Sequence, residues 1–324
     1  MPPAATLNPE KILRELRELW VDLSQHQEVP GGVLRACSMT LMVVEDASVS
    51  DANNDDTEAV HRTVGVLMHD HPSRAIVLAP QAGAELSARV FSECWMPYHS
   101  RQQICAEGIE ITADDEQLDE VARLLMALVV PDLPVVLWCR GPRAFLDRTL
   151  DPLFPLARKI IFDTGAARHA PSAIEFLRRL RREGRTVADL AWTRLTAWRE
   201  TIASMFDDGL GDPHRFTSVR VLHAGARPGS ESIYLGRWID RACPGAGVNM
   251  EADGKPMLAS GDLVAVVFAN PGEEVRIERR DSHLEIHAGG KVHTSPLSPG
   301  LEEALMREEL SILDRDPAFE RVLQ

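Results

Sequence analysis

The strongest constraint on the fold is an alternation of apolar, strand-like runs with helical patterns through the first half of the chain. Helical patterns lie at 59–71 and 114–129, and the stretch 85–112 reads as two strands joined near Pro97-Tyr98-His99. The remaining strand-like runs are 33–44, 71–80, 129–142 and 157–165. Strands that alternate with helices usually pair in parallel, so this half predicts an α/β layer built on a mostly parallel or mixed sheet.

In the second half of the chain the pattern of apolar residues changes from helical spacing to short strand-like runs. Helical patterns at 171–184, 187–206 and 231–243, with a strand at 216–225, precede four short runs, LVAVVFA, EVRIERR, HLEIHA and KVHTS. Asn270-Pro271-Gly272, Asp281-Ser282 and Gly289-Gly290 separate these runs, which is typical of an antiparallel meander with hairpin turns. A last helix is expected at 300–313. The second half is therefore predicted to be an α+β domain.

Together these patterns predict a two-domain α/β protein. The stretch from Gly165 to Pro171 is the best candidate for the domain boundary. We expect an N-terminal tail and helix over 1–32, an α/β domain over 33–168 and an α+β domain over 169–324.

Charge and apolar run length argue against two classes of protein. The chain has 49 acidic and 35 basic residues, a formal net charge of −14, whereas nucleic-acid binding favours a basic surface. Its longest apolar runs, such as 124–130, are far shorter than the roughly 20 residues of a membrane span. The N-terminus lacks the pattern of a signal peptide. With five cysteines and no export signal, the expected location is the cytoplasm, while self-association is left open.

No pattern of catalytic residues stands out. The chain contains no Gly-rich phosphate loop with a lysine and no Gly-x-Ser-x-Gly elbow, so the residues by themselves indicate no class of enzyme and no cofactor. Asp163-Thr164-Gly165 matches the aspartic-protease signature, but those enzymes need a second aspartate and no second copy exists. His69 and His71 are spaced by two and have no evident third ligand, so we expect a polar turn and no metal site.

Two weaker hypotheses concern anions and thiols. Binding sites in α/β sheets form beyond the carboxyl ends of the strands, and a sugar-phosphate- or nucleotide-binding sensor or enzyme is the alternative function. Its possible anion ligands are Ser73, Arg74, Arg101 and Arg140. Cys94 and Cys105 approach each other if 85–112 turns near residue 98. They are either a redox pair or two small buried hydrophobic residues.

The stretch DLAWTRLTAWRE, residues 189–200, is the most unusual in the chain, and we call it the tryptophan segment. It holds two of the six tryptophans within seven positions. At 100° per residue Leu195 and Trp198 share one buried stripe, whereas Trp192 lies on the opposite edge close to Arg199. Trp and Arg are enriched at interface hot spots, so Trp192 either meets a partner or packs against the neighbouring domain of the chain. The candidate partner-binding residues are Asp189, Trp192, Arg194, Arg199 and Glu200.

The sequence resembles the glucose-6-phosphate dehydrogenase assembly protein (OpcA) family. The resemblance is carried, in the family's order, by HPSRAIVL (71–78), VVPDLPVVLW (129–138), DLAWTRLTAWRE (189–200) and SIYLGRWIDR (232–241). The chain departs from the family at Ala197, where proline is frequent, and at Trp138-Cys139, where paired tryptophans are frequent.

This resemblance implies a non-catalytic protein that binds glucose-6-phosphate dehydrogenase and promotes its active oligomer, which raises flux into the oxidative pentose phosphate pathway. It also implies an N-terminal α/β domain followed by a C-terminal domain, and it brings no active site with it.

Overall fold

A computed structural model describes residues 7–26, 32–45, 55–99, 101–146, 148–207, 213–253, 261–297 and 300–324. The described chain divides into two compact units. Unit 1 comprises 1–163, 180–188 and 306–315, and unit 2 comprises 164–179, 189–305 and 316–324. The α/β class expected from the sequence is confirmed, with a largely parallel sheet followed by a largely antiparallel one.

The first sheet contains eight strands of the described residues. They are β1 (Val33–Arg35), β2 (Met39–Val44), β3 (Ser73–Pro80), β4 (Ser87–Trp95), β5 (Gln103–Ala113), β6 (Val135–Cys139), β7 (Lys159–Phe162) and β8 (Val187–Asp189). Their order is β1-β5-β3-β2-β6-β7-β8, and β4 pairs antiparallel with the other side of β5. All of β2 and β6 is buried, as expected for central strands of a parallel sheet covered on both faces.

The order of this sheet reverses between β2 and β6. From β2 the chain adds β3 and β5 on one side, and then β6, β7 and β8 on the other. This is the order of doubly wound dinucleotide-binding folds, in which the carboxyl ends of the two strands at the reversal open a crevice. The reversal therefore defines where a small-molecule site is to be sought.

The helices follow the capping and polarity rules of their sequences. In chain order they are α1 (Pro9–His26), α2 (Asp55–Asp70), α3 (Leu118–Leu128), α4 (Ala170–Arg182), α5 (Leu190–Thr193), α6 (Thr196–Asp207), α7 (Ser230–Ala242), α8 (Glu302–Leu310) and α9 (Pro317–Leu323). A 3-10 turn, Asp115–Gln117, precedes α3, and Asp114 and Gln117 form a capping box there. Gly184, at φ +86°, lies just beyond α4, where the sequence predicts that helix to end.

The second sheet contains six strands of the described residues. They are β9 (Ser218–Ala224), β10 (Gly247–Asp253), β11 (Leu263–Asn270), β12 (Glu273–Arg279), β13 (His283–Ala288) and β14 (Lys291–Pro296). β11 to β14 form the expected meander, β9 pairs antiparallel with β11, and β10 adds a parallel edge.

Two single elements predicted from the sequence are in fact divided. The run 33–44 forms β1 and β2, which pair with different neighbours. The helix predicted over 187–206 is β8, α5 and α6, because Asp189 is extended, at φ −139°, and caps α5. Sequence periodicity does not reveal β10, whose residues are mostly exposed, or α9, which has only seven residues.

The predicted domain limits at 32 and 168 remain predictions about independently folding parts. The compact units differ from a simple linear division because 180–188 and 306–315 both belong to unit 1. Lys159 on β7 holds the segment 306–315 within unit 1. Its ammonium donates to the carbonyl oxygens of Glu309 and Ile312 and to the Glu309 carboxylate.

Candidate functional site

A small crevice lies at the carboxyl ends of β2, β3 and β6, and we call it the carboxyl-edge crevice. Its lining residues are Val44, Glu45, Pro80, Asp115, Arg140, Arg143, Ala144, Thr149 and Leu150. Its cavity volume is about 10 Å³, roughly the space of one water molecule and far below the about 300–1,000 Å³ of ordinary small-molecule pockets. The Arg143 guanidinium forms an ion pair with Asp115 inside it.

These residues do not fit a dinucleotide. In doubly wound folds the turn after the first strand carries glycines that let the backbone approach the pyrophosphate. Here the sequence after β2, EDASVSDANN (45–54), has no glycine and three carboxylates, Glu45, Asp46 and Asp51. Glu45 is buried at the crevice wall. The sequence after β2 thus lacks the glycine pattern of a pyrophosphate-binding turn, while Glu45, Asp115, Arg140 and Arg143 all line the crevice.

The four candidate anion ligands do not come together. Arg140 follows β6 and lines the carboxyl-edge crevice, with its guanidinium 5.3 Å from the centroid of the Trp138 ring. Ser73 and Arg74 begin β3, and Arg101 precedes β5, so these three lie at the amino ends of parallel strands. The sheet direction thus separates Arg140 from the other three.

Arg74 is committed to a buried carboxylate. Its Nε and Nη2 lie 2.7 and 2.6 Å from Glu107 Oε1, and its Nη1 donates to the carbonyl oxygen of Leu128. Arg35 Nη2 and Trp20 Nε1 also donate to Glu107, at 2.8 and 2.6 Å. We call this group the Glu107 cluster. It joins α1, β1, β3 and β5 and leaves little of Arg74 for a ligand.

The environment of Glu107 favours its ionised form. Burial alone raises the pKa of this carboxyl, but the hydrogen bond from Trp20 and the charge and hydrogen bonds of Arg74 and Arg35 outweigh it. The pKa of Glu107 is therefore lowered from its ordinary value.

Cys94 and Cys105 are directly opposite each other on β4 and β5 and form a disulfide. The hairpin predicted from the sequence thus brings them together, while a redox role remains a prediction. Cys37, Cys139 and Cys243 are free thiols. Burial raises the pKa of Cys243 to about 11 and that of Cys139 further still, which makes both poor nucleophiles.

The first residue of the tryptophan segment, Asp189, is fully buried and highly hydrogen-bonded. Its Oδ1 accepts from the backbone N–H groups of Thr164 and Ala191, both at 3.0 Å, and its Oδ2 accepts from the hydroxyls of Thr164 and Tyr234, at 2.5 and 2.7 Å. Burial and then the charge of Asp189 raise the pKa of Tyr234, so that the phenol stays a donor. Asp189 thereby fixes the start of α5.

Trp192 is an internal residue of unit 2, with 2% of its surface exposed. Its indole N–H donates to Asp316 Oδ2 at 2.7 Å, and its ring stacks on Phe319 with centroids 5.7 Å apart. Asp316 also caps α9 through the backbone N–H groups of Ala318 and Phe319. Trp192 therefore anchors α9 to α5. The break between α5 and α6 turns it inward, although an unbroken helix would place it at the edge.

The charged residues of the tryptophan segment other than Asp189 lie nearer the surface. The Arg199 guanidinium sits 3.9 Å from the centroid of the Trp192 ring, which confirms the expected proximity, and it donates to the hydroxyl of Thr196. Arg194 lies 3.5 Å from Glu231 and is about one quarter exposed. Glu200 is exposed. In this segment Asp189 and Trp192 are therefore buried, whereas Arg194, Arg199 and Glu200 are partly or fully exposed.

The residues that complete this arrangement are not evident from the sequence. Tyr234 lies in SIYLGRWIDR, and Asp316-Pro317 carries the cap-and-proline signal of a helix start. Thr164 belongs to the Asp-Thr-Gly turn, whose role here is to bind Asp189. Asp316-Pro317 and the Asp-Thr-Gly turn can be recognised from neighbouring residues in the sequence. Tyr234 cannot, because a hydrogen bond between residues far apart in the chain leaves no trace in sequence periodicity.

Two checks on other classes of site can be made for the described part of the chain. Within it no group of three or more His, Cys, Asp or Glu side chains is arranged to hold a metal ion. His69 instead stacks on Trp95, with ring centroids 4.7 Å apart. None of the helices described there combines the length and apolarity needed to cross a membrane.

Two family models of the OpcA family match the chain in succession. The first describes the N-terminal domain of a glucose-6-phosphate dehydrogenase subunit and matches 65–182. The second describes the C-terminal domain of that subunit and matches 185–323. The chain belongs to the OpcA family. The tryptophan segment, the partners of Asp189 other than Thr164, and α9 all lie within the second match.

Three cyanobacterial OpcA-family relatives, each named as a putative OxPP cycle protein OpcA, are similar to the chain. The Synechococcus elongatus protein is 24% identical over 309 residues, covering 80% of this chain and 68% of the relative. The Synechocystis protein is 26% identical over 140 residues, 42% of this chain and 30% of the relative. The Nostoc punctiforme protein is 24% identical over 178 residues, 52% of this chain and 37% of the relative. The alignments with the Synechocystis and Nostoc punctiforme proteins therefore span only about a third of each relative's length.

Among solved structures, an NAD-binding oxidoreductase from Klebsiella pneumoniae superposes with a TM-score of 0.50 at 10% identity, covering 89% of this chain and 94% of that one. A 3-ketoreductase from Actinomadura kijaniata gives a TM-score of 0.49 at 8% identity, with 88% and 94% covered. At such identities the first likeness is one of fold alone. It agrees with the strand order of the first sheet and transfers no activity.

Proposed function

We propose that this OpcA-family protein is a non-catalytic accessory factor that binds glucose-6-phosphate dehydrogenase and promotes its active oligomer. In that role it supports the oxidative pentose phosphate pathway. The observation that carries the proposal is the succession of two family models, both described as domains of a glucose-6-phosphate dehydrogenase subunit, over most of the chain. The unsuitability of the carboxyl-edge crevice for a dinucleotide supports a role other than hydride transfer.

The physical mechanism we propose is linkage between binding and assembly. A protein that binds the assembled dehydrogenase better than its free subunits shifts the assembly equilibrium by the difference in its two binding free energies. No chemical step by this chain is required. Its own requirement is a rigid scaffold that presents a fixed surface.

Within that scaffold we assign the tryptophan segment a bracing role. Trp192 and Asp189 are buried, so they act on a partner by holding α5, α6 and α9 in place. The side chains of Arg194, Arg199 and Glu200 are at least partly exposed, so a partner protein can contact them. If a Trp192→Ala/Arg199→Ala protein stays folded and still activates the dehydrogenase as well as the unaltered protein does, this assignment is wrong.

The direct test mixes the protein with the dehydrogenase of the same cell. Sedimentation velocity gives the mass of the dehydrogenase oligomer, and an assay of the same samples gives its specific activity. We expect both to rise with added protein and to level off at a fixed ratio of the two chains. If neither changes, the proposal is refuted.

A second candidate function, a sugar-phosphate or nucleotide sensor, has one observation in its favour. Arg140 and Arg143 both line the crevice at the strand-order reversal. Thermal unfolding with glucose 6-phosphate, NADP or inorganic phosphate tests it. An increase in Tm that Arg140→Ala/Arg143→Ala abolishes would favour the sensor, and we expect none. The cytoplasmic location remains a prediction from the sequence.

A further inference from the structure

The tip of the β4–β5 hairpin in unit 1 exposes two large apolar side chains. Tyr98 is 91% exposed and Met96 is 55% exposed. Single exposed apolar residues are ordinary on protein surfaces, but a contiguous apolar group marks an interaction site. The significance of Met96 and Tyr98 therefore depends on whether other exposed apolar residues lie near them.

Strand register places a row of three further apolar residues where β4 leads into the tip. Ile104 is opposite Trp95 on β4 and opposite Leu34 on β1, so the three residues form one row across three strands. Residues opposite one another share a face of the sheet, with Cβ atoms roughly 5 Å apart. Leu34 is 49% exposed, and Trp95 and Ile104 are partly exposed. We call Leu34, Trp95, Met96, Tyr98 and Ile104 the hairpin-end patch.

The hairpin-end patch is held in shape before any partner arrives. The Cys94–Cys105 disulfide lies in the next row of the ladder. At the tip His99 adopts the left-handed conformation at φ +63°, and its ring lies 4.0 Å from that of Tyr98. On the strands, the Trp95 ring stacks on His69 of α2. A surface already ordered in its binding conformation loses less entropy on association.

The charge of the hairpin end is opposite in sign to the net charge of the chain. The segment WMPYHSRQQI (95–104) contains no acidic residue, although the chain carries a net charge of −14. Arg101 is exposed within it. Aromatic, Met and Arg side chains together are the composition enriched in interface centres. The complementary surface is an apolar pocket bordered by carboxylates.

We propose that the hairpin-end patch is the surface through which this protein binds the dehydrogenase, with Met96 and Tyr98 entering an apolar pocket and Arg101 facing carboxylates at its border. This inference rests on the proposed function for the identity of the partner. It assigns the contact to unit 1, whereas the tryptophan segment belongs to unit 2.

The test compares two double variants of the full-length protein for binding to the dehydrogenase. Met96→Ala/Tyr98→Ala removes the tip of the patch. Met126→Ala/Leu146→Ala is the matched control, because these residues are 65% and 68% exposed elsewhere in unit 1. We expect the dissociation constant to rise at least about tenfold for the first variant and less than about twofold for the control. Arg101→Glu should weaken binding further, most strongly at low salt.

Each outcome bears on a different claim. If the unaltered protein does not bind the dehydrogenase, the proposed function fails and the inference with it. If the unaltered protein binds and the Met96→Ala/Tyr98→Ala variant binds equally well, only the inference is overturned. The same holds if the control loses as much affinity as the patch variant.

Discussion

The tryptophan segment of unit 2 and the hairpin-end patch of unit 1 differ in how deeply they are buried and in how much of the family resemblance they carry. The former carries the most specific part of the family resemblance, yet Asp189 and Trp192 are buried and fully engaged with other parts of unit 2. The latter carries little of that resemblance, and Tyr98 at its tip is almost entirely exposed.

On the proposed assignment, the recognisable sequence motif and the contact surface are different parts of the chain. A buried residue with several directional partners accepts few replacements, so its identity is fixed by folding. An exposed apolar side chain is fixed only by what it binds. We therefore interpret the tryptophan segment as the frame and the hairpin-end patch as the contact, and the variants that follow are chosen to separate the two roles.

Removing the Trp192 side chain is expected to have the largest effect on stability. Trp192→Ala leaves a cavity beside Phe319 and removes the hydrogen bond that the indole N–H donates to Asp316, which should cost about 3–5 kcal/mol. Trp192→Phe is the control, since it keeps most of the packing and loses the indole N–H. Urea unfolding followed by circular dichroism measures both. A loss below about 1 kcal/mol for Trp192→Ala would contradict the bracing role.

Neutralising the Glu107 cluster comes next and tests how strongly it holds β1 and β5, two of the strands that carry the hairpin-end patch. Glu107→Gln leaves Arg74 buried beside an uncharged partner, which should cost about 3 kcal/mol near neutral pH. Because the pKa of Glu107 is lowered in the folded state, its contribution is fully present above the unfolded pKa and is lost as the pH falls through the folded pKa.

The pH dependence supplies the control for this prediction. Below about pH 4.5 the unaltered protein should lose stability more steeply than Glu107→Gln, because the variant no longer binds that proton. Glu18→Gln, at an exposed ion pair with Arg14, should follow the unaltered protein. Parallel curves for the unaltered protein and Glu107→Gln would show that folding does not lower the pKa of Glu107, which would contradict this prediction.

The Glu107 cluster also shows what the sequence can and cannot predict. Apolar runs identify the strands that position it and periodicity identifies its helix, so the α/β class follows. Its four side chains come from positions 20, 35, 74 and 107, and only tertiary pairing joins them. The sequence therefore offers Arg74 as a possible anion ligand, although its partner is an internal carboxylate.

The burial of Trp192 escapes sequence analysis for a different reason. Helical periodicity assumes an unbroken rotation of 100° per residue, and the extended Asp189 together with the break between Thr193 and Thr196 resets it. The predicted buried stripe with Trp198 and the proximity of Arg199 to Trp192 are correct because they are local. The burial of Trp192 depends on α9, more than a hundred residues later.

The disulfide gives a smaller and separable effect. Cys94 and Cys105 close a short loop, and Cys94→Ser/Cys105→Ser should cost about 2–3 kcal/mol in unit 1 while leaving unit 2 unchanged. A free-thiol count on denatured protein should find three thiols without reductant and five with it. Cys37→Ser, as control, should lower both counts by one. Five thiols without reductant would remove the redox hypothesis.

The smallest effect on stability is expected at the tip of the patch. Tyr98→Ala should change the free energy of unfolding by less than about 0.5 kcal/mol, since a side chain that is 91% exposed makes few contacts to lose. Urea unfolding beside Trp192→Ala measures it. A cost above about 1 kcal/mol would mean that Tyr98 belongs to the frame.

Hydrogen–deuterium exchange of the protein with and without the dehydrogenase tests the division into frame and contact most directly. We predict that the dehydrogenase slows exchange at 33–35 and 95–104 and leaves 189–207 as it is in the free protein. New protection confined to 189–207, with 95–104 unchanged, would contradict the account and make the tryptophan segment the contact.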